Sequence, residues 1–445
     1  MTLKLKCLGA GFEVGRSGFL LMGSDKILFD YGLKLSPKFE AAEEIINEAE
    51  DAQLDMKSED VEYPILVKDY LDAVILSHAH LDHSGAIPSL FKNDTPNLFL
   101  TEATLDLSNL LWADTLKIAK FDKKEAPFTK EHIFEANKSA FYVDYNNTIE
   151  ITDNTKITFY DAGHIIGSAI TVLEMDGKKI MYTGDYRFSS SQLFAGCNKK
   201  LPTVDILISE STYGSENHKD RKLIEKDIIK DIEDTLKRGG SAIIASFAIE
   251  RAQELIALLY NYKIKVPIYV DGMGIKATRI FLEYKDYFKD YNNFKKATDA
   301  VKYVTKSDRK KIVDGGKPSI IITTAGMLEG GPIMHYIKEL GDNPKNSIIL
   351  SGYQVEGTNG DRLVKTGKLY IDGEIYQPRA VIKKHSLSGH PGNDELLEIV
   401  KIVKPKKVVC VHGDPTSIAN FQKQLTKLGY PNIAPKVGET ISLDI

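Results

Sequence analysis

Residues 77–85 read Ser-His-Ala-His-Leu-Asp-His-Ser-Gly, which places three histidines and one aspartate within six positions. The apolar run Ala73–Leu76 directly precedes them, so these residues are predicted to form the loop that leaves a buried strand. In open α/β sheets, ligands bind at this carboxyl end of the strands. Imidazole and carboxylate groups are ligands that zinc takes in proteins. The spacing therefore predicts a metal site on a strand-end loop.

This loop offers more ligands than one tetrahedral ion with an open position needs. We therefore expect two ions, with His78 and His80 on one and Asp82 and His83 on the other. Four polar residues on an exposed surface loop are the alternative interpretation. The concentration of imidazole disfavours that alternative.

Three other positions offer the remaining ligands in similar contexts. His164 lies among small residues that let the backbone approach closely. Asp185 follows the apolar run Lys179–Tyr182, and its carboxylate can bridge two cations. His412 follows the run Lys407–Val411. Together with the histidine loop, these residues are predicted to complete two coordination shells.

Composition bounds the class of protein. With 445 residues the chain is expected to form more than one domain, and 42% hydrophobic residues are ordinary for a globular protein. A formal charge of −4 means that any affinity for nucleic acid must come from a local patch. Three widely separated cysteines exclude a disulfide framework and a CxxC metal site. No signal peptide and no apolar run of about 18 residues occurs, so we expect a cytoplasmic protein without a membrane partner.

Strands and helices are predicted to alternate along most of the chain, which is typical of an α/β fold. Short runs rich in Ile and Val indicate buried strands at 73–76, 179–182, 205–208, 242–245, 319–322, 347–350 and 407–411. Ile224, Ile228 and Ile232 mark the apolar face of a helix that Gly239 closes. An acidic helix is expected at 38–52, and the role of the acidic segment 37–62 stays open.

Sequence motifs extend the metal-site pattern to a family. His-Ala-His-Leu-Asp-His, together with Asp30 in FDYG, GH at 163–164 and GD at 184–185, resembles the metallo-β-lactamase hydrolase fold. ISESTYG, SFAIERAQE, TTAGMLEGGP, SGYQVEGTNGDRL, HSLSGH and CVHGD resemble the β-CASP branch, which processes nucleic acids. The set is similar to archaeal and bacterial relatives of the endonuclease subunit of the eukaryotic pre-mRNA 3′-end cleavage complex.

This resemblance implies an αβ/βα sandwich with an inserted α/β β-CASP domain. The expected division is residues 1–205 for the first part of the metallo-β-lactamase domain, 206–377 for the inserted domain and 378–445 for the C-terminal part. The chain begins at its first predicted strand, so the N-terminal KH domains of some archaeal relatives are not expected.

The resemblance also implies a role for each residue of the site. One Zn²⁺ is expected on His78, His80 and His164, and a second on Asp82, His83 and His412. Asp185 would bridge them, and Asp30 would fix a ligand imidazole by a hydrogen bond. His390 suits the general acid, with Glu210 holding it in orientation. Candidates for RNA or phosphate binding are Ser246, Arg251, Gly330, Gly331, Arg362 and Ser388.

The expected activity is endonucleolytic hydrolysis of single-stranded RNA, leaving 5′-phosphate and 3′-hydroxyl ends. A 5′-to-3′ exoribonuclease using the same site is the principal alternative, because sequence does not show whether the RNA channel is closed. A non-catalytic scaffold subunit is disfavoured, since no candidate ligand is missing. A small-molecule hydrolase does not need the inserted domain, and DNA-processing relatives typically lack a histidine at the position of His412. Whether the protein acts alone or as a homodimer stays open.

Overall fold

The computed structural model describes residues 2–35, 61–121 and 123–445. The helix expected at 38–52 lies outside these residues, as does most of the acidic segment 37–62. Within the described part of the chain, no helix is long and apolar enough to cross a membrane.

Two seven-stranded sheets form the centre of the molecule. In spatial order, the first contains Thr440–Ser442, Lys4–Gly9, Gly18–Met22, Lys26–Phe29, Ala73–Ile75, Asn97–Leu100 and Ala140–Tyr142. The second contains Asn432–Ile433, Lys407–Val411, Ile206–Glu210, Lys178–Tyr182, Ala169–Met175, Lys156–Asp161 and Thr148–Glu150. Buried apolar residues of both sheets, such as Phe19, Phe29, Ile180 and Ile208, form one shared core. The two sheets therefore pack face to face.

Helices cover the outer face of each sheet. Those against the first sheet are Glu102–Phe121 and Lys130–Lys138, with Trp112 buried beneath them. Those against the second sheet are Asn393–Val403 and Pro415–Lys427, with Ile399 and Phe421 in the contact. The strand Ala73–Ile75 is followed by a short helix, Leu81–Ser84, and a 3₁₀ helix, Ile87–Lys92. The result is the expected four-layer αβ/βα sandwich.

A third sheet lies outside the sandwich. Its six parallel strands are, in spatial order, Lys302–Tyr303, Ile268–Asp271, Ile320–Thr323, Ala242–Ala245, Ser347–Leu350 and Val381–Lys384. Helices on its two faces are Arg221–Lys237, Arg251–Asn261, Gly274–Glu283, Tyr291–Asp299, Asp308–Asp314, Pro332–Leu340 and Asn359–Thr366. The remaining elements are a 3₁₀ helix, Lys285–Tyr287, and two two-stranded ribbons. One ribbon pairs Leu369–Ile371 with Glu374–Tyr376, and the other pairs Lys34–Leu35 with Val61–Glu62. The α/β class expected from the sequence is confirmed.

The third sheet joins the sandwich through a mixed apolar core. Leu107, Leu111 and Ile166 of the sandwich pack with Phe281 and Phe294. The strand Ile206–Glu210 pairs in parallel with Lys407–Val411 and so lies in the second sheet. The division of the chain at residues 205 and 377 stays a prediction.

Candidate metal centre

The predicted ligands converge at the carboxyl ends of strands from both sheets of the sandwich. His78, His80 and His164 form one group with Asp185, and Asp82, His83 and His412 form a second group with the same aspartate. Within each group, one candidate ligand atom per residue lies within 4.8 Å of the others. Asp185 thus lies where a shared ligand would have to lie, between the two groups.

Asp185 directs its two carboxylate oxygens to different histidines. Oδ2 lies 3.4 Å from His78 Nε2 and 3.8 Å from His164 Nε2. Oδ1 lies 3.3 Å from His83 Nε2 and 3.5 Å from His412 Nδ1. The residue is 2% exposed and follows Gly184, whose φ of 51° turns the chain at the end of the strand Lys178–Tyr182. The backbone turn places this carboxylate at the centre of the pocket.

The atoms of this pocket fit bound cations. His78 Nε2 and both carboxylate oxygens of Asp185 are buried, and none has a hydrogen-bond partner among the described residues. Buried polar atoms without partners are unfavourable, so an arrangement of this kind is stable only when something else binds them. Nitrogen and oxygen donors at these spacings suit zinc.

Hydrogen bonds behind the pocket fix which nitrogen three of its histidines, His78, His83 and His164, present to it. His83 Nδ1 donates to Asp30 Oδ2 at 2.7 Å, and His164 Nδ1 donates to the Gly389 carbonyl at 2.9 Å. Ser77 Oγ donates to Asp30 Oδ2 at 2.7 Å and lies 3.0 Å from His78 Nδ1. Since Nδ1 is bonded on each ring, Nε2 is the nitrogen available for a ligand.

Asp30 therefore lies where the sequence predicted a supporting role, and it organises more of the site than expected. Its carboxylate also accepts a hydrogen bond of 2.6 Å from Tyr182 and one of 2.7 Å from the Ser77 amide. Its backbone is in the left-handed region, with φ of 55°, as is that of His412, with φ of 50°. Non-glycine residues are strained there, and such strain concentrates at functional sites. Sequence reasoning missed Ser77 and Tyr182.

Burial and charge set the protonation of the histidines. Burial lowers the pKa of His80 to about 3, and burial with the neighbouring imidazoles His80 and His78 lowers the pKa of His164. These rings are therefore neutral and keep a lone pair for a cation. Burial opposes the charged form of His83 as well, but Asp185, Asp82 and Asp30 outweigh it and raise the pKa of His83.

His390 and Glu210 lie at the edge of the pocket. His390 Nδ1 donates to Glu210 Oε2 at 3.1 Å and is 3.7 Å from Asp185 Oδ2. Burial acts to lower the pKa of His390, but the carboxylates of Glu210 and Asp185 raise it to about 9. Glu210 is itself held by the Tyr186 amide, which donates to Oε1 at 3.0 Å. The structure thus brings these two predicted residues together, and their roles stay a prediction.

The six candidate RNA-binding residues do not form one surface. Ser246 is buried beyond a strand end, where its hydroxyl donates to the Thr323 carbonyl. Gly331 precedes the helix Pro332–Leu340, and a Cβ there would lie 2.7 Å from the Thr324 carbonyl oxygen. Gly330 has open space around its Cα. These residues lie at the carboxyl edge of the third sheet.

The other three candidates have different surroundings. Ser388 Oγ accepts a hydrogen bond of 3.0 Å from the His390 amide, so it is close to the predicted acid. Arg362 stacks on the ring of Tyr370. Arg251 is only 5% exposed, and its guanidinium pairs with Glu250 and Glu254. The structure therefore places Arg251 in a buried ion-pair cluster and not on an exposed surface.

Comparisons with known families agree with this architecture. The chain matches a metallo-beta-lactamase superfamily domain over residues 38–212 and a Beta-Casp domain over residues 252–363. It also matches a Zn-dependent metallo-hydrolase RNA specificity domain over residues 377–435. The three matches follow the order of the sandwich, the third sheet and the return to the sandwich.

Similar whole proteins belong to the same group. A probable RNase of Methanocaldococcus jannaschii is 38% identical over 98% of this chain and 99% of that protein. An RNase J-like protein of the same organism is 38% identical over 84% of this chain and 89% of its own. Transcription termination factor FttA of Pyrococcus horikoshii is 34% identical over 99% of this chain and 71% of its own.

A crystal structure of a protein of unknown function from Enterococcus faecalis has a TM-score of 0.62 and covers 99% of this chain and 100% of its own. Because its sequence identity is only 15%, this likeness shows a shared fold and nothing about function. From the family matches and the relatives, the chain belongs to the β-CASP family of metal-dependent, metallo-β-lactamase-fold ribonucleases. The family assignment expected from the motifs is confirmed.

Proposed function

We propose that this protein hydrolyses phosphodiester bonds of single-stranded RNA endonucleolytically, with two zinc ions, and leaves 5′-phosphate and 3′-hydroxyl ends. One observation carries the proposal. Asp185 is shared by two groups of four zinc-type ligands, and the His390–Glu210 pair lies outside both, in a smaller third cluster with Asp185. A shared ligand would hold two ions close enough to act on one phosphate, and a separate proton donor would protonate the leaving oxygen.

The residues of this chain divide between holding the ions and moving a proton. His78, His80, His164 and Asp185 would hold one ion, and Asp82, His83, His412 and Asp185 the other. When bound, two zinc ions supply activation of water near neutral pH and neutralisation of the charge on the phosphate. Asp30 would keep His83 in the orientation that presents Nε2 to the pocket.

The proton for the leaving group is assigned to His390. Its Nδ1 is bonded to Glu210, so Nε2 is the atom that would donate to the 3′-oxygen of the preceding nucleotide. Protonating that oxygen leaves a 3′-hydroxyl on one product and the phosphate on the 5′ end of the other. Glu210 stabilises the imidazolium and fixes its orientation.

RNA is proposed to cross the carboxyl edge of the third sheet before it reaches the pocket. Gly330, Gly331 and Ser388 lie along strand ends of this edge or the loop that follows it, whereas buried Ser246 does not contribute to the surface. Bare amides near Gly330 and Gly331 could approach a phosphate closely. We leave Arg251 out of this surface because Glu250 and Glu254 already bind its guanidinium.

The test is a time course of zinc-loaded protein on unstructured RNA labelled at its 5′ end, with the Asp185→Ala variant as control. We expect labelled fragments of intermediate length that the control does not produce. Mononucleotide released from the labelled end at the earliest times would instead establish a 5′-exonuclease. Absence of any metal-dependent cleavage would contradict the proposal and favour a scaffold role.

A further inference from the structure

An exposed aromatic ring lies beside the candidate site. Tyr353 follows the strand Ser347–Leu350 at the carboxyl edge of the third sheet, and 52% of its surface is exposed. Single exposed tyrosines are common, so exposure alone indicates nothing. The position of this ring and the rigidity of its loop separate it from the others.

The loop holds Tyr353 from both sides. Ser351 Oγ donates to the Ala245 carbonyl at 2.7 Å. Buried Gln354 donates through Nε2 to the carbonyls of Gly326 at 3.1 Å and Gly352 at 3.2 Å. A Cβ on Gly352 would lie 2.8 Å from the ring of Phe247, so the backbone packs closely there. Because both neighbours are tied down, the ring is presented on a fixed backbone.

Ring contacts connect Tyr353 to the predicted general acid. Its ring centroid lies 6.5 Å from that of Tyr213, at an interplanar angle of 85°. The Tyr213 ring in turn lies 6.2 Å from the His390 ring. Burial raises the pKa of Tyr353, and the charge of Asp414, two residues beyond His412, contributes to the rise. The exposed ring is therefore connected to His390 through a single intervening ring, that of Tyr213.

The charges around this ring indicate which part of RNA would contact it. Acidic side chains lie near this ring: Asp414, Glu356, Asp361 and Glu216 all contribute to raising the pKa of Tyr353. Lys365 pairs with two of them, Glu356 at 3.2 Å and Asp361 at 2.9 Å. The balance of charge therefore gives a phosphate no net attraction to this position, whereas the exposed ring itself offers an aromatic face to a neutral base. Aromatic side chains stack on any of the four bases, because every base has a π-face.

We propose that Tyr353 is a stacking platform for a nucleobase of single-stranded RNA that flanks the cleaved phosphate, with Tyr213 supporting the ring from its edge. The proposal rests on the proposed ribonuclease function and adds a base-binding subsite to it. Stacking of this kind positions substrate without reading its sequence. Tyr353 thus acts in binding, and His390 in the chemical step.

The experiment compares the Tyr353→Ala and Tyr353→Phe variants with wild type in steady-state cleavage of a short unstructured RNA by zinc-loaded protein. We expect Tyr353→Ala to raise KM by roughly 5- to 100-fold, as loss of one base–aromatic stack does, with kcat nearly unchanged. Tyr353→Phe keeps the ring and should restore KM. Tyr303→Ala serves as the matched control, since Tyr303 is a partly exposed tyrosine on the edge strand at the far side of the third sheet.

Substrates with a single abasic nucleotide, moved stepwise along the RNA, identify the base concerned. Removing the base at one position next to the cleaved bond should raise the KM of wild type as much as Tyr353→Ala does with intact RNA. With that abasic substrate, Tyr353→Ala should cause no further rise in KM. An unchanged KM in Tyr353→Ala, or failure of Tyr353→Phe to restore it, would overturn the stacking subsite alone. A wild-type protein that neither binds nor cleaves RNA would overturn the proposed function and the subsite together.

Discussion

Two buried clusters of charged side chains flank the loop Ser388–His390, and they differ in what their atoms contact. In the metal pocket, both oxygens of Asp185 are buried without a hydrogen-bond partner among the described residues. In the second cluster, which we call the arginine–glutamate junction, Arg221 and Arg251 both bond to Glu254, and Arg251 also pairs with Glu250 at 2.9 Å.

The difference separates a binding site from a structural contact. Opposite charges pair directly in the arginine–glutamate junction, where only Arg221 Nε and Arg251 Nε stay without a hydrogen-bond partner among the described residues. Arg221 and Arg187 also both donate to the Ser388 carbonyl next to His390. In the metal pocket the atoms without partners are both oxygens of Asp185 and His78 Nε2, which converge with the other ligand-type atoms on one space, an arrangement that suits a cation. Burial of charge is therefore common to both clusters, and only the pocket is arranged to bind a ligand.

The largest effect is expected from Asp185→Asn, because this carboxylate belongs to both ligand groups. Cleavage should fall by more than the ~10⁴-fold at the upper end of the range for a single general acid. Rates on labelled RNA and zinc content measure the loss. The exposed Asp153→Asn variant is the control, and near wild-type cleavage in Asp185→Asn would show that the pocket is not the active site.

His390→Gln should separate proton donation from metal binding. We expect cleavage to slow by roughly 10²–10⁴-fold, the usual range for loss of a general acid, while bound zinc stays at the wild-type level. Single-turnover rates and metal analysis of the same preparation test this. Loss of zinc would assign His390 to the ligands, and an unchanged rate would remove its role as the acid.

Glu254→Gln should affect stability more than chemistry. The substitution leaves two guanidiniums buried with less compensating charge, which typically destabilises a protein by roughly 3–5 kcal/mol. A lower midpoint of thermal unfolding is the expected observation. Glu233→Gln, at a half-exposed position of the helix Arg221–Lys237, should change the stability by less than about 0.5 kcal/mol. Equal midpoints for the two variants would mean that the arginine–glutamate junction does not hold the fold together.

The smallest effect concerns pH. Burial raises the pKa of Glu250 from its usual 4.5 to about 7 in the folded protein. Attraction to Arg251 opposes this rise, and repulsion from Glu254 adds to it. The resulting contribution to stability is full below pH 4.5 and is lost as the pH rises through about 7. Wild type should therefore lose roughly 1–3 kcal/mol relative to Glu250→Gln between pH 5 and pH 8. An equal difference in unfolding free energy between wild type and Glu250→Gln at pH 5 and at pH 8 would contradict the raised pKa of Glu250.

The sequence alone predicts the metal pocket because four of its candidate ligands lie close together along the chain. His78, His80, Asp82 and His83 occupy one loop, and their spacing indicates ligands before any fold is known. Asp30 was predicted through resemblance, but Tyr182 and Ser77 were not, since their bonds to Asp30 depend on strands that meet only in the folded sandwich.

The arginine–glutamate junction shows where sequence reasoning fell short. The sequence predicts Arg251 as an RNA contact because it opens a helix after a strand-end loop. Glu254 lies three residues later, a spacing that brings the two side chains together on a helix and could have indicated the ion pair. The partner from the preceding helix, Arg221, has no such local signal. The sequence shows that Arg251 is charged, but its burial depends on segments that are distant along the chain.

Zinc stoichiometry of the purified protein tests the central claim most directly. Metal analysis after saturation and removal of free zinc should give two ions per chain for wild type and for His390→Gln, and fewer than two for Asp185→Asn. Two ions retained in Asp185→Asn, or no zinc bound by wild type, would contradict a site built around a shared aspartate.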